Sequence, residues 1–306
     1  MTRRAWLLMG LLAATWGASY MFIKVGLRDF GVGTIVSGRT ALAALVLIPV
    51  ALHQNVLGQL RGRGGPILLC ALTQVAVPFI LITVGEHWIE SALAGILVAS
   101  APIFVALLTL KFEPSDRLSP VGLAGIGIGM LGVAMLFGVD LSGDAMALVG
   151  GLMVLGAGFL YAAGSMILRR TMSDVAPAAA ASATMAVSAL LTLPLVAFDP
   201  PTSAGWDSLG AVVALGVLGT GLAFLIFYVL ISELGASRAS IVAYLAPGFS
   251  VGYGVALLGE SITAGTIAGL VLILVGSWLG ANGRLPTRLS RSEPSRSTAP
   301  APVRVR

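Results

Sequence analysis

Charge is what this 306-residue chain has least of. Only 10% of its residues are charged, against 57% hydrophobic, with a mean hydropathy of +0.98. A soluble domain carries roughly 25% charged residues, so a chain this poor in charge cannot solvate its own surface; it faces lipid. Cysteine is nearly absent too. The single Cys70 excludes an internal disulfide and any cysteine-rich metal site, and the third apolar run holds it as a small core residue. No G-x4-G-K-[ST] phosphate loop is present, which argues against an ATP-driven pump. Two histidines and no paired intramembrane carboxylates leave no nucleophile–base set, metal cluster or acid pair for an integral membrane enzyme. No cofactor is implied. Long loops are also missing, so no soluble catalytic domain fits between the apolar segments.

What is there is a series of ten apolar runs: 5–25, 33–52, 66–85, 91–110, 118–138, 146–168, 176–198, 209–231, 239–259 and 264–281. About 20 apolar residues cross the hydrocarbon core as a helix. None of the runs alternates as membrane strands do. The expected fold is an all-α polytopic membrane protein. The start, with Arg3 and Arg4 before an apolar run, looks like a signal peptide. The run continues through Tyr20, Met21, Phe22 and Ile23, longer than a usual signal core, and reads as an uncleaved first helix.

The net charge of +5 does not point to nucleic acid, because its placement follows the membrane. With the N-terminus inside, fifteen of eighteen Lys and Arg fall on the inner side, Lys24 and Arg28 outside, and Arg39 within a span. Both termini are therefore expected in the cytoplasm of a cell (inner or plasma) membrane protein. The tail 284–306, rich in Arg, Ser and Pro, is expected to be disordered beside anionic lipid.

The chain repeats itself. Segments 91–138 and 237–283 share an apolar run with an internal proline, a short acidic step and a glycine-rich run. Pro102 and Pro247 are 145 positions apart; Asp116 and Glu260, Gly125 and Gly269, and Gly132 and Gly276 are each 144 apart. Five spans per half is odd, so two related halves, 1–139 and 145–283, must insert in opposite orientations. Ten transmembrane helices as two inverted five-helix repeats is a recurring design of secondary transporters, with the site near the midplane between repeats. A receptor without flux is the remaining alternative, alongside the enzyme.

Trp16-Gly17-Ala18-Ser19 with Ile23-Lys24, Ser37-Gly38-Arg39, the apolar-Pro-apolar patterns at Pro102 and Pro247, Leu258-Gly259-Glu260 and Gly269-x6-Gly276 together resemble the EamA-type members of the drug/metabolite transporter superfamily. The first-half acid stands in Glu113-Pro114-Ser115-Asp116-Arg117, where spacing matches Asp116 to Glu260. The resemblance implies ten helices, with helices 1–4 and 6–9 around a central cavity and 5 and 10 peripheral. It also implies export of small metabolites, amino acids or drugs.

Arg39 is the one charged side chain well inside a span. It is read as an outer-gate ion pair with Asp29, Glu86 or Glu90, as a snorkelling side chain, or as a contact for a substrate carboxylate. Glu86, Asp116 and Glu260 are the further gate or ion-pair candidates. Mid-span acids are absent, so transport is expected to be facilitated diffusion or exchange, or coupled through perimeter groups such as Glu86 or Glu233. His87 beside Glu86 reads as a solvated loop-edge pair or a proton relay. Pro102 and Pro247 each free a helix carbonyl and are expected to kink opposite cavity walls. Trp16, Tyr20, Gln74, Ser100, Tyr161, Ser165, Tyr228 and Tyr244 supply the other candidate cavity residues. The partners implied are a small molecule, neutral, zwitterionic or amphipathic, and the bilayer; monomer and homodimer are both open.

Overall fold

Every backbone N–H and C=O inside a bilayer needs a partner, and a helix supplies one locally. The structure, a computed structural model, describes residues 2–112, 118–141, 144–198 and 205–282. Nine helices among them are long and apolar enough to cross a membrane, and a tenth apolar helix is shorter. In chain order they are α1 (Arg3–Gly26), α2 (Val32–His53), α3 (Gly64–Gly85), α4 (Ser91–Phe112), α5 (Pro120–Val139), α6 (Ala145–Thr171), α7 (Pro177–Ala197), α8 (Trp206–Leu234), α9 (Val242–Leu258) and α10 (Ala264–Asn282). Three starts are fixed by N-cap side chains: Thr2 accepts from Ala5 N–H, Ser119 from Gly122 N–H, and Asp144 from Met146 and Ala147 N–H. Large apolar side chains remain on the outside, Leu45 68% and Leu190 70% exposed, which is the surface a bilayer covers.

The packing follows a two-fold scheme. The helices α1 and α9 pack together, as do their counterparts α6 and α4; α1 meets α8 as α6 meets α3; α2 pairs with α7, α4 with α9, and α5 with α10. At the α5–α10 seam a Cβ on Gly125 would lie 2.9 Å from Gly276 O, and one on Gly132 would lie 2.9 Å from Gly269 O. Only glycine lets the two backbones approach this closely. The seam closes within one molecule.

Two local departures from α geometry also obey the repeat. The ladder widens to π geometry at Leu72–Ala76 in α3 and at Val217–Leu222 in α8, and Leu72 and Val217 are 145 positions apart. The prolines, by contrast, are not used alike. Pro102 follows an interruption of α4 at residues 99–100, whereas Pro247 sits inside continuous helix. The freed carbonyl breaks the first helix and is absorbed by the second.

Candidate functional site

Residues of α1–α4, α6, α8 and α9 line a cavity of about 530 Å³; α7 contributes none, and Gly280 and Ala281 of α10 join the lining, which corrects the expectation of eight lining helices with helix 10 peripheral. Its far wall is set by Ile23, Ile82 and Gly95. From there it runs past Trp16, Tyr20, Gln74 and Tyr161 toward Ala106, Ser165, Ser240 and Ala281, at the end of the bundle where residues 3 and 282 lie. Most of the lining is apolar, with few polar groups at set points, as small-molecule sites are built.

Repeat partners line the cavity in pairs. Trp16 corresponds to Tyr161, Tyr20 to Ser165, and Gln74 to Gly219, each at an offset of 145, and all six are lining residues. Gln74 and Gly219 both lie in π segments. Such widened turns are frequent at functional sites; here they re-aim side chains without ending the helix.

Arg39 is the charged group of the cavity. It is 8% exposed. Its Nε donates to Thr220 Oγ1 at 2.9 Å, and its guanidinium carbon lies 3.6 Å from the centre of the Phe79 ring. Thr220 in turn donates to Leu215 O at 2.9 Å, a five-residue step of the π segment. Among the described residues Arg39 forms no ion pair; the two ion pairs there are Arg4–Glu233 and Arg63–Asp174. The guanidinium does not snorkel to the headgroups and does not pair with Asp29, Glu86 or Glu90. It is held in the cavity with unused donors.

Eight of the ten expected cavity residues line it: Trp16, Tyr20, Gln74, Pro102, Tyr161, Ser165, Tyr244 and Pro247. Two do not. Ser100 is buried and turns its hydroxyl onto Leu97 O at 2.6 Å, inside the interruption of α4. Tyr228 packs beside Phe224 with rings 6.0 Å apart, against the α2–α3–α7 cluster. Sequence reasoning missed Phe79, Phe224, Phe227, Ser19 and Ser240, which do line it. The i, i+3 spacing of Phe224 and Phe227 was the available signal.

The end opposite the cavity mouth is closed by polar contacts. Glu260 accepts from the backbone N–H groups of Ser91 at 2.7 Å and Ala92 at 2.9 Å, so its carboxylate caps the first turn of α4. It is a helix cap between repeats and not an ion pair. Gly259, at φ +69°, supplies the left-handed residue that ends α9 and turns Glu260 back. A Cβ on Gly254 would collide with that carboxylate. Ser250 Oγ donates to Ser91 O, and Thr263 and Thr266 donate to Asp140 Oδ1. Lys24 donates to the backbone carbonyls of Glu86 and Ile89. Glu86 is 0% exposed, which corrects its reading as half of a solvated pair; His87 alone is exposed. Burial, with Glu260 adding to it, holds the Glu86 carboxyl well above the usual carboxylate range, against the pull of Lys24 and Arg39. Asp116 and the tail 284–306 lie outside the described residues.

The sequence model of the EamA-like transporter family matches residues 4–138 and again 148–280. A probable amino-acid metabolite efflux pump of Salmonella typhimurium is 28% identical, covering 95% of this chain and 99% of that protein. An uncharacterized transporter of Archaeoglobus fulgidus is 27% identical over 90% and 98%. A probable terminal-alkyne amino-acid exporter of Streptantibioticus cattleyicolor is 26% identical over 97% and 99%. A crystal structure superposes with a TM-score of 0.64 at 20% identity, covering 91% of this chain and 96% of that one, and shares the fold.

Proposed function

The chain belongs to the EamA-like transporter family, and we propose that it exports small zwitterionic metabolites, amino acids foremost, by alternating access between repeats 1–139 and 145–283. The observation that carries this is Arg39: a buried cation in the cavity, fixed at Nε by Thr220 and at its face by Phe79, without an acidic partner among the described residues. A guanidinium so held is built to receive a carboxylate at its free edge. The aromatic walls suit an apolar side chain. The names of the Salmonella and Streptantibioticus relatives point the same way.

With the charge bias placing both termini in the cytoplasm, the cavity mouth faces inward and the Glu260 cap closes the outer end of a cell-membrane carrier. This is a loading conformation for an exporter.

Counterflow in proteoliposomes containing the purified chain tests it. Labelled leucine is expected to exchange with internal leucine, and leucine amide, which lacks the carboxylate, at least about tenfold less, the equivalent of one lost charged contact. Equal exchange of acid and amide removes Arg39 as a carboxylate anchor. An absence of exchange across amino acids and amphipathic drugs removes the carrier reading.

A further inference from the structure

Glu86 is a carboxyl group for which the cavity has no use. It does not line the cavity, it is 0% exposed, and neither Oε1 nor Oε2 has a hydrogen-bond partner among the described residues. An ionised carboxylate without partners is costly to bury, by several kcal/mol or more; the group takes a proton instead. Lys24 does not discharge it. Its ammonium is spent on the Glu86 and Ile89 carbonyls and makes no ion pair within 4.0 Å.

The surroundings tie that carboxyl to the outer closure. The same α3–α4 connection carries Glu90, whose Oε1 accepts from Ser261, and leads into the α4 turn capped by Glu260. The charged groups acting on Glu86 are Lys24 from α1, Arg39 from α2 and Glu260 from the α9–α10 turn. Tyr20 of α1 lies within its field, Glu90 and the exposed His87 flank it in the chain, and α6, packed on Gly85 through Gly150, carries Asp144 at its start and Tyr161 further along. The second repeat has Ile231 at the position 145 residues on. Whatever Glu86 does, it does at one end only.

We propose that Glu86 is a proton-binding site at the outer end of the bundle, neutral whenever that end is closed, so that closing takes up a proton and opening gives it back. The sign follows from linkage. The closed state binds the proton more tightly than a solvated carboxyl does. Closure is therefore fully supported at pH below the ordinary carboxylate range. It weakens as pH rises from there to the raised value, and is level above it. Its role in a transport cycle, an acidic outside hastening the return of the emptied carrier, rests on the carrier reading above. The proton site itself is tested without transport, so either can fail alone.

Two measurements on the purified full-length protein decide it. Infrared difference spectra at neutral pH are expected to show the carbonyl stretch of a buried protonated carboxyl, lost in Glu86→Gln and kept in Glu260→Gln. In a Cys70→Ala background, a cysteine placed at Leu93 in the outer vestibule is expected to react faster as pH rises, normalised to the unfolded chain. The rise approaches about tenfold per pH unit for a single linked proton, and is flat in Glu86→Gln. A band that survives Glu86→Gln, no band in the parent protein, or flat labelling in the parent overturns the proposal. Should Glu86→Gln not fold, Lys24→Gln decides: removing the ammonium is expected to move the loss of the band to higher pH, and an unmoved band overturns the assignment.

Discussion

Arg39 of α2 and Thr220 of α8 meet across the two repeats, Nε to Oγ1 at 2.9 Å, and the hydroxyl passes the bond on to Leu215 O. The guanidinium is aimed by a side chain that only the π segment of α8 puts in register.

Substitutions at this pair are expected to separate aim from charge. Arg39→Ala removes the cation and should cost leucine exchange about 2–3 kcal/mol, roughly 30- to 150-fold in KM, while leaving leucine amide unaffected. Arg39→Lys keeps the charge but loses the fork and the stack on Phe79, and an intermediate loss is expected. Thr220→Val leaves Nε without its acceptor and should raise KM by about tenfold or less. Counterflow against substrate concentration measures all three; an unchanged KM in Arg39→Ala dismisses the contact.

Removal of the Glu260 cap acts at the other end. Glu260→Ala leaves the Ser91 and Ala92 N–H groups without their charged acceptor, a loss of about 2 kcal/mol, or roughly 30-fold in the balance between closed and open outer ends. Labelling at Leu93→Cys should rise accordingly. Glu260→Gln, which keeps an acceptor oxygen, should show a smaller rise. Labelling no faster than in the parent means that the cap does not hold the closure.

The α5–α10 seam is expected to govern stability and not specificity. A Cβ on Gly276 would run into the backbone of Gly129 and Gly125, so Gly276→Ala forces the helices apart at a cost of about 1–3 kcal/mol. Thermal unfolding in detergent should fall by several degrees with the ratio of leucine to leucine amide exchange unchanged. An altered ratio places the seam in the site.

Much of this architecture is legible in the chain. Hydropathy alone places each helix within a few residues, because the bilayer fixes length and excludes charge from the middle. The paired offsets mark which helices are counterparts; α2 and α7, α4 and α9, and α5 and α10 pack as such pairs, whereas α1 meets α9 and α8. Side-chain direction is harder to read. Tyr228 follows the Val217–Leu222 π segment, and each widened turn rotates everything after it by part of a turn, so the face assigned from regular 3.6-residue spacing is displaced. Tyr228→Phe is accordingly expected to leave exchange within about twofold, since the ring packs away from the cavity. Phe79 and Phe227 were missed for a different reason: in a wholly apolar helix an aromatic ring carries no mark of which face meets lipid. Glu86 looked solvated because it lies just past the end of α3; the sequence does not show that α6 packs on the adjoining Gly85 or that Lys24 reaches the Glu86 carbonyl.

The swapped glycine contacts have a geometric consequence. Exchanging the two repeats turns the Gly125–Gly276 contact into Gly269–Gly132, which is also present. A seam that maps onto itself survives when the halves trade roles; it is the axle. The Glu260–Ser91 contact has no such counterpart among the described residues, because Asp116, 144 positions before Glu260, lies outside them. On the alternating-access reading proposed above, a motion that interchanges the halves breaks it.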